Sequence, residues 1–250
     1  MAPTTRSMAK INSELNIMNQ GSCEEMVKTG RVFYKLVLLD KQPNSHYTVR
    51  SNMRPAIAWL YIPETVGTNL GRKLDKNGNA DFAKYRAEKA YVIQLTDLAG
   101  NKLSREQIGY SCFVSQFNSI IYIPGTWVYP DEYERDIWQV CAKGIHFYKT
   151  IEACLAFLAD PDHLNYGTHY YKPFLPDGTY NRYGDDGQIS SQSITYKNGI
   201  LVRVDDKNDT PPWFNQHMKN TRNYYERVLN NDRCDEVERT AFEKYLAETR

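Results

Sequence analysis

Val32 to Leu39 reads VFYKLVLL and Ile57 to Ile62 reads IAWLYI, closed by Pro63. Both runs are short, rich in β-branched and aromatic residues, and bounded by breakers, which is the pattern of strands buried on both faces or nearly so. Tyr91 to Leu95, Tyr110 to Val114 and Ser119 to Val128 repeat that texture, the last interrupted by Pro124-Gly125. A β-rich core follows from these five segments. Ile145 to Tyr148 is a shorter strand whose alternation sets Ile145 and Phe147 on one face and His146 and Tyr148 on the other. Directly after it, Thr150 caps a helix in which Ile151, Cys154, Leu155 and Leu158 share one face, and Asp160-Pro161 ends it. That helix is expected to pack on the sheet, so the fold class is α+β: a β-rich mixed core with a packed helix, a small β meander and a C-terminal helical hairpin.

Outward from this core the texture changes twice. Residues 161–210 carry the turn pairs Asp177-Gly178, Asp186-Gly187 and Asn198-Gly199, so the segment reads as a meander with Ser193–Tyr196 and Ile200–Val204 paired across Lys197–Gly199. Pro211-Pro212 stops it. From about Thr221 the apolar spacing becomes helical, with Tyr224, Tyr225, Val228 and Leu229 on one segment and Val237, Ala241, Phe242, Tyr245 and Leu246 on the next, divided at Asn230-Asn231. At the other end, residues 1–21 lack an apolar repeat and read as an extended arm. Ser22 and Glu25 form a capping-box pattern that opens a short helix, with Gly30 as its stop. The expected organisation is an arm over 1–21, an α+β core over 22–160, a meander over 161–210 and a helical segment over 211–250. Residues 64–80, with Gly67, Gly71 and Asn77-Gly78, read as a long mobile loop, and acidic 131–139 as one or two helical turns.

Composition narrows the class. The 250 residues hold 31 Lys and Arg against 30 Asp and Glu, which gives no strong signal for nucleic acid and no tail-like charge excess. The longest apolar run, Ala153 to Ala159, is far short of the roughly 20 residues of a membrane span, and no charged-then-apolar leader opens the chain. Cys23, Cys112, Cys141, Cys154 and Cys234 are scattered without paired spacing, which suits reduced thiols better than a disulfide framework. Tyrosine outnumbers phenylalanine 19 to 9, a preference shared by strands and by protein interfaces.

The densest candidate chemistry is the set Cys141, His146, Cys154, His163 and His169. Thiolate and imidazole are zinc ligands, but structural zinc sites draw ligands in close pairs, and these residues stand singly. No metal or other cofactor is predicted. Cys141 or Cys112 with His146 would form a nucleophilic pair only with a lowered thiol pKa and a base in reach. Signatures of serine hydrolases, zinc proteases, dinucleotide folds and phosphate loops are missing from the sequence.

The stretch Tyr129 to Tyr148, YPDEYERDIWQVCAKGIHFY, resembles a domain-of-unknown-function family of giant and other large DNA viruses that carries a "C..GIHFF" motif. Gly125, Tyr133, Cys141, Gly144, Ile145, His146 and Phe147 match, with Tyr148 in place of a second Phe. Upstream, Tyr34-Lys35-Leu36, AWLYIPE and KYRAEKAYVIQL are similar to the family's earlier strands, and the resemblance spans about residues 31–159. No activity transfers with it. The tyrosine excess, the balanced charge and the missing catalytic signatures, in a chain that resembles this viral family, lead to the expectation of a non-enzymatic structural or interaction protein, a minor capsid or virion component docking to other viral structural proteins, located in the virion or in the host cytoplasm at the viral factory. In that reading Cys141, Gly144, Ile145, His146 and Phe147 lock the scaffold: the glycine permits a turn, Ile145 and Phe147 fill the core. The alternative is an enzyme, a transferase or hydrolase of the infected cell, with Cys141 and His146 as catalytic residues.

Overall fold

A computed structural model describes residues 31–39, 48–49, 54–112, 120–160, 165–166, 175–206 and 236–248, with further positions at 26, 28–29, 222–223, 226–227 and 229–230. The strands are β1 (Val32–Leu38), β2 (Thr48–Val49), β3 (Pro55–Tyr61), β4 (Tyr85–Ala87), β5 (Ala90–Thr96), β6 (Gly109–Ser111), β7 (Ile121–Tyr122), β8 (Trp127–Val128) and β9 (Ile145–Phe147). Helix α1 (Ile151–Ala159) follows, then β10 (Asn165–Tyr166), β11 (Gly178–Tyr183), β12 (Ile189–Lys197), β13 (Ile200–Asp206) and α2 (Glu236–Glu248). This is an α+β fold, as the apolar runs require.

The main sheet has the order β7-β6-β1-β3-β5-β8, and every neighbouring pair is antiparallel. Its two outermost strands are joined by the turn over residues 123–126, where Thr126 N donates to Ile123 O at 3.2 Å. So tight a link between the two edges requires the sheet to curl, bringing β7 and β8 near one another. The strand candidate from Ser119 to Val128, interrupted at Pro124-Gly125, is two short strands, β7 and β8, on either side of that pair. Small inward residues, Ala56, Ala58 and Ala90, let the walls approach, and Phe33, Val37, Leu60, Val92 and Tyr122 fill the interior. On the outer face, Leu36, Leu38 and Ile57 meet Cys154, Leu158 and Ala159 of α1 and Ile194, Tyr196, Leu201 and Val204 of the meander. The two faces of β1 thus belong to two apolar cores, which is why its sequence shows no polar alternation.

α1 starts where Thr150 Oγ1 accepts from Ala153 N at 3.2 Å, while the same hydroxyl donates to Asp81 O at 2.9 Å. At its far end Tyr196 Oη donates to Ala159 O at 3.0 Å and Arg182 Nε donates to Asp160 Oδ2 at 3.0 Å. The meander therefore covers the helix end as well as the sheet. The hairpin between β12 and β13 turns at Asn198-Gly199 with Asn198 at φ 51°, the left-handed backbone that the Asn-Gly pair selects. Phe242 and Tyr245 of α2 are buried, and Lys244 Nζ donates to Asn198 Oδ1 at 3.3 Å.

Residues 64–80 depart from the expected loose loop. Asn69 and Arg72 are buried there, and Arg72 pairs with Asp186 of the β11–β12 turn while donating to Asp185 O at 2.9 Å. Asn79 N and Lys84 N donate to the carbonyls of Asp186 and Asp185, both at 3.0 Å. Gly187 sits at φ +73°, and a Cβ there would fall onto Asn79 O and 2.6 Å from Ala83 N. The meander turn is thus plugged into the segment by charge and close backbone contact. The turn at Asn77-Gly78 is present, closed by Gly78 N to Asp75 O at 2.8 Å. The arm over 1–21, the residues Ser22, Glu25 and Gly30, and Pro211-Pro212 lie outside the described residues.

Candidate functional site

β9 sits at the centre of the motif. It pairs antiparallel with β4, Tyr85 to Phe147, Arg86 to His146 and Ala87 to Ile145. Beyond it, Tyr148 and Tyr34 exchange both backbone hydrogen bonds at 2.8 Å, so this edge of β1 is shared between β6 and the β9 strand. Ile145 and Phe147 are fully buried, with Phe147 against Phe33 (centroids 4.8 Å) and Tyr85 (5.9 Å). Gly144 has φ +143°, and a Cβ there would lie 3.2 Å from the Tyr133 ring and 3.3 Å from Ala87 O. A side chain at that position meets both strain and contact.

His146 turns away from that core. Its Nε2 donates to Val140 O at 3.2 Å, and its own carbonyl accepts from Lys35 Nζ at 2.9 Å. Burial, then the neighbouring Lys35 and Lys84 cations, push its pKa down to about 3, leaving the ring neutral near pH 7. Cys141 is exposed and looks elsewhere: Sγ donates to Asp185 Oδ2 at 3.0 Å and receives Lys84 Nζ at 3.2 Å. Partial burial and the bond to Asp185 push its thiol pKa up, which favours the protonated form. The two residues proposed as a pair are thus held by separate sets of partners. Cys112 and Cys154 are buried, the former with its pKa pushed up to about 12 by burial while its thiol donates to Leu36 O at 3.2 Å. His163 and His169 lie outside the described residues, and among the described residues no group of three His, Cys, Asp or Glu could hold a metal ion.

The segment 131–139 is not helical. Its carbonyls are drawn to one cation instead: Arg86 Nε donates to Gln139 O at 2.7 Å, and its two terminal nitrogens donate to Glu134 O and Asp136 O. Asp136 O also accepts from Gln139 N at 3.3 Å, closing a single turn, but with the carbonyls of Glu134, Asp136 and Gln139 gathered around one guanidinium no helix forms, which corrects the expectation of one or two helical turns there. Arg86 is fully buried and its guanidinium stands 5.4 Å from the Tyr133 ring. Glu134 and Asp136 fold their carboxylates onto local backbone, Glu134 Oε1 accepting from Asp136 N at 2.9 Å and Asp136 Oδ1 from Trp138 N at 3.0 Å. The result is a braced loop that leaves Trp138 62% exposed, and Tyr129, between β8 and this loop, is 59% exposed.

Three residues that organise this region, Arg72, Arg86 and Lys35, escaped the sequence reading. Only Lys35 left a trace: it shares strand parity with Phe33 and Val37, inward residues of an apolar strand.

No curated protein and no solved structure matches the chain. A family profile does match residues 30–154, half of the chain, from the start of β1 to the middle of α1. The main sheet, the Arg86-braced loop and the stretch from Cys141 to Phe147 all fall inside that span, and the chain belongs to the family of unknown function DUF5758.

Proposed function

We propose that the chain is a non-enzymatic interaction protein and, on its resemblance to the large DNA virus family, a minor capsid or virion component that docks to other viral structural proteins. The carrying observation is how the motif is used: Ile145 and Phe147 fill the core, His146 is tied to Val140 O, and Cys141 is tied to Lys84 and Asp185. The competing reading needs the Cys141 thiol activated by His146, and the depressed imidazole pKa together with the raised thiol pKa work against that. A docking role also has a surface. Large aromatic side chains carried on a braced loop lose little entropy on binding and anchor interfaces well, and exposed Trp138 stands on the loop that Arg86 braces.

The test is chemical cross-linking and mass spectrometry of purified particles. High copy number with cross-links from the neighbouring Lys143 to another particle protein, reduced by Trp138→Ala, supports the reading. Absence from particles, or presence with a cross-link pattern indifferent to Trp138→Ala, overturns the docking role at this loop.

A further inference from the structure

Three chain segments bring a thiol, an amine and a carboxylate to one point. Cys141 stands before β9, Lys84 immediately before β4, and Asp185 in the β11–β12 turn. Lys84 Nζ lies 3.2 Å from Cys141 Sγ, although the two residues are 57 apart in the chain. Asp185 Oδ2 accepts from the thiol at 3.0 Å, and its other oxygen is 3.7 Å from Lys84 Nζ. Backbone contacts fix these positions. Lys84 N donates to Asp185 O at 3.0 Å, and Arg72 Nη2 donates to both Asp185 O and Lys84 O, at 2.9 and 3.3 Å. On the third segment, His146 Nε2 holds Val140 O, the carbonyl next to Cys141 in the chain. Cys141 is exposed, so an oxidant in solution reaches its sulfur, whereas Cys112 and Cys154 are buried. Groups held this close react as one unit, because the entropy of bringing them together is already lost on folding.

We propose that Cys141 and Lys84 are a modification site at which dioxygen installs a covalent sulfur–oxygen–nitrogen bridge. Dioxygen inserts into the S–H bond to give a sulfur-bound hydroperoxide, with Asp185 Oδ2 carrying the thiol proton to the terminal oxygen. Lys84 Nζ, after one proton has left the ammonium for water, attacks the oxygen bound to sulfur. The N–O bond forms as the O–O bond breaks, and the departing hydroxide takes a proton from nitrogen. One thiol, one amine and one dioxygen give one bridge and one water. Sulfur and nitrogen each lose two electrons, and dioxygen gains the four. A thiol reductant returns those four electrons and restores the free thiol, the amine and a water. The bridge stands whether or not the Trp138 loop docks a partner.

The experiment uses the full chain, reduced with dithiothreitol, freed of reductant without oxygen, and divided between anaerobic and air-saturated mildly alkaline buffer. Free thiols are then alkylated and the protein is digested for mass spectrometry. The aerated sample alone should contain two peptides joined at Cys141 and Lys84, with the mass of their sum plus one oxygen and less two hydrogens. Dithiothreitol should remove that species and restore alkylation of Cys141. Asp185→Asn should slow bridging severalfold, with an unchanged urea midpoint showing that the fold persists. Recovery of Cys141 from aerated protein as thiol, sulfinic acid or disulfide, with no bridged peptide, overturns the site. Fragmentation that places the bridge on another lysine overturns the assignment to Lys84, and a rate indifferent to Asp185→Asn overturns the part given to the carboxylate.

Discussion

Replacing Arg86 by Met keeps the length and apolar stem of the side chain and removes the guanidinium. Three carbonyls, those of Glu134, Asp136 and Gln139, then lose their donor, and the Tyr133 ring loses its cation. A hydrogen bond from a charged group contributes about 1.5–3 kcal/mol net, and the three would sum to about 5–9 kcal/mol if nothing replaced them. Two terms offset this. Water can reach the carbonyls of an exposed loop, and the variant no longer buries a charge that lacks a carboxylate, a relief of a few kcal/mol. The expected loss is about 3 kcal/mol, or a fall in Tm of ~6–12 °C for a chain of this size. The assay is urea unfolding followed by circular dichroism, with hydrogen exchange across residues 131–144 as the local readout. Arg86→Lys should recover only part of the loss, because an ammonium cannot serve three carbonyls in the plane that the guanidinium does. An unchanged or raised midpoint in Arg86→Met, with exchange in the loop as slow as before, would refute the bracing argument.

Gly187→Ala forces a Cβ onto Asn79 O at a left-handed φ, and a loss of about 2–4 kcal/mol with faster proteolysis between β11 and β12 is expected; wild-type resistance would show that the turn is not plugged into the core. Folded His146 binds its proton only at about pH 3, whereas in the unfolded chain it does so at about 6.5. The unfolded state therefore carries more protons between those values, and stability falls as pH drops through the window by up to ~1.4 kcal/mol per unit. Equilibrium unfolding at pH 6.5 and pH 5 should show His146→Gln losing much of that slope, and an identical slope in the variant would count against the depressed pKa. Thiol titration of native protein should lose one fast-reacting group in Cys141→Ser and none in Cys154→Ser, since the first thiol is exposed and the second buried.

Elements whose side chains alternate or recur with a simple period were legible in the chain. β1, β3 and β5, the helix capped by Thr150 and the β12–β13 hairpin lie where their apolar spacing and turn pairs put them. The parity of Ile145, His146 and Phe147 was also readable, because the pleat alone decides it. What escaped depends on partners distant in sequence. Arg86 sits in the polar-looking run Lys84-Tyr85-Arg86-Ala87-Glu88, and nothing local says that its guanidinium turns inward to gather carbonyls about fifty residues later. For the same reason the acidic segment 131–139 read as helix: its side chains cap local turns, but apart from the one turn closed by Gln139 N on Asp136 O its carbonyls are gathered around Arg86. The break at Pro124-Gly125 was legible, but not that the strands on its two sides would join opposite ends of the main sheet, since β7 pairs with β6 and β8 with β5.

The mutual clasp of Tyr34 and Tyr148 sets a timetable for synthesis. A nascent chain that has emerged as far as β8 possesses every strand of the main sheet, yet the first half of β1 still has an unmet edge on one side. The ribosome must deliver the whole Cys141 to Tyr148 stretch before that edge is covered. Chains stalled earlier would expose a ready template for intermolecular pairing, and they are the species on which a chaperone would act.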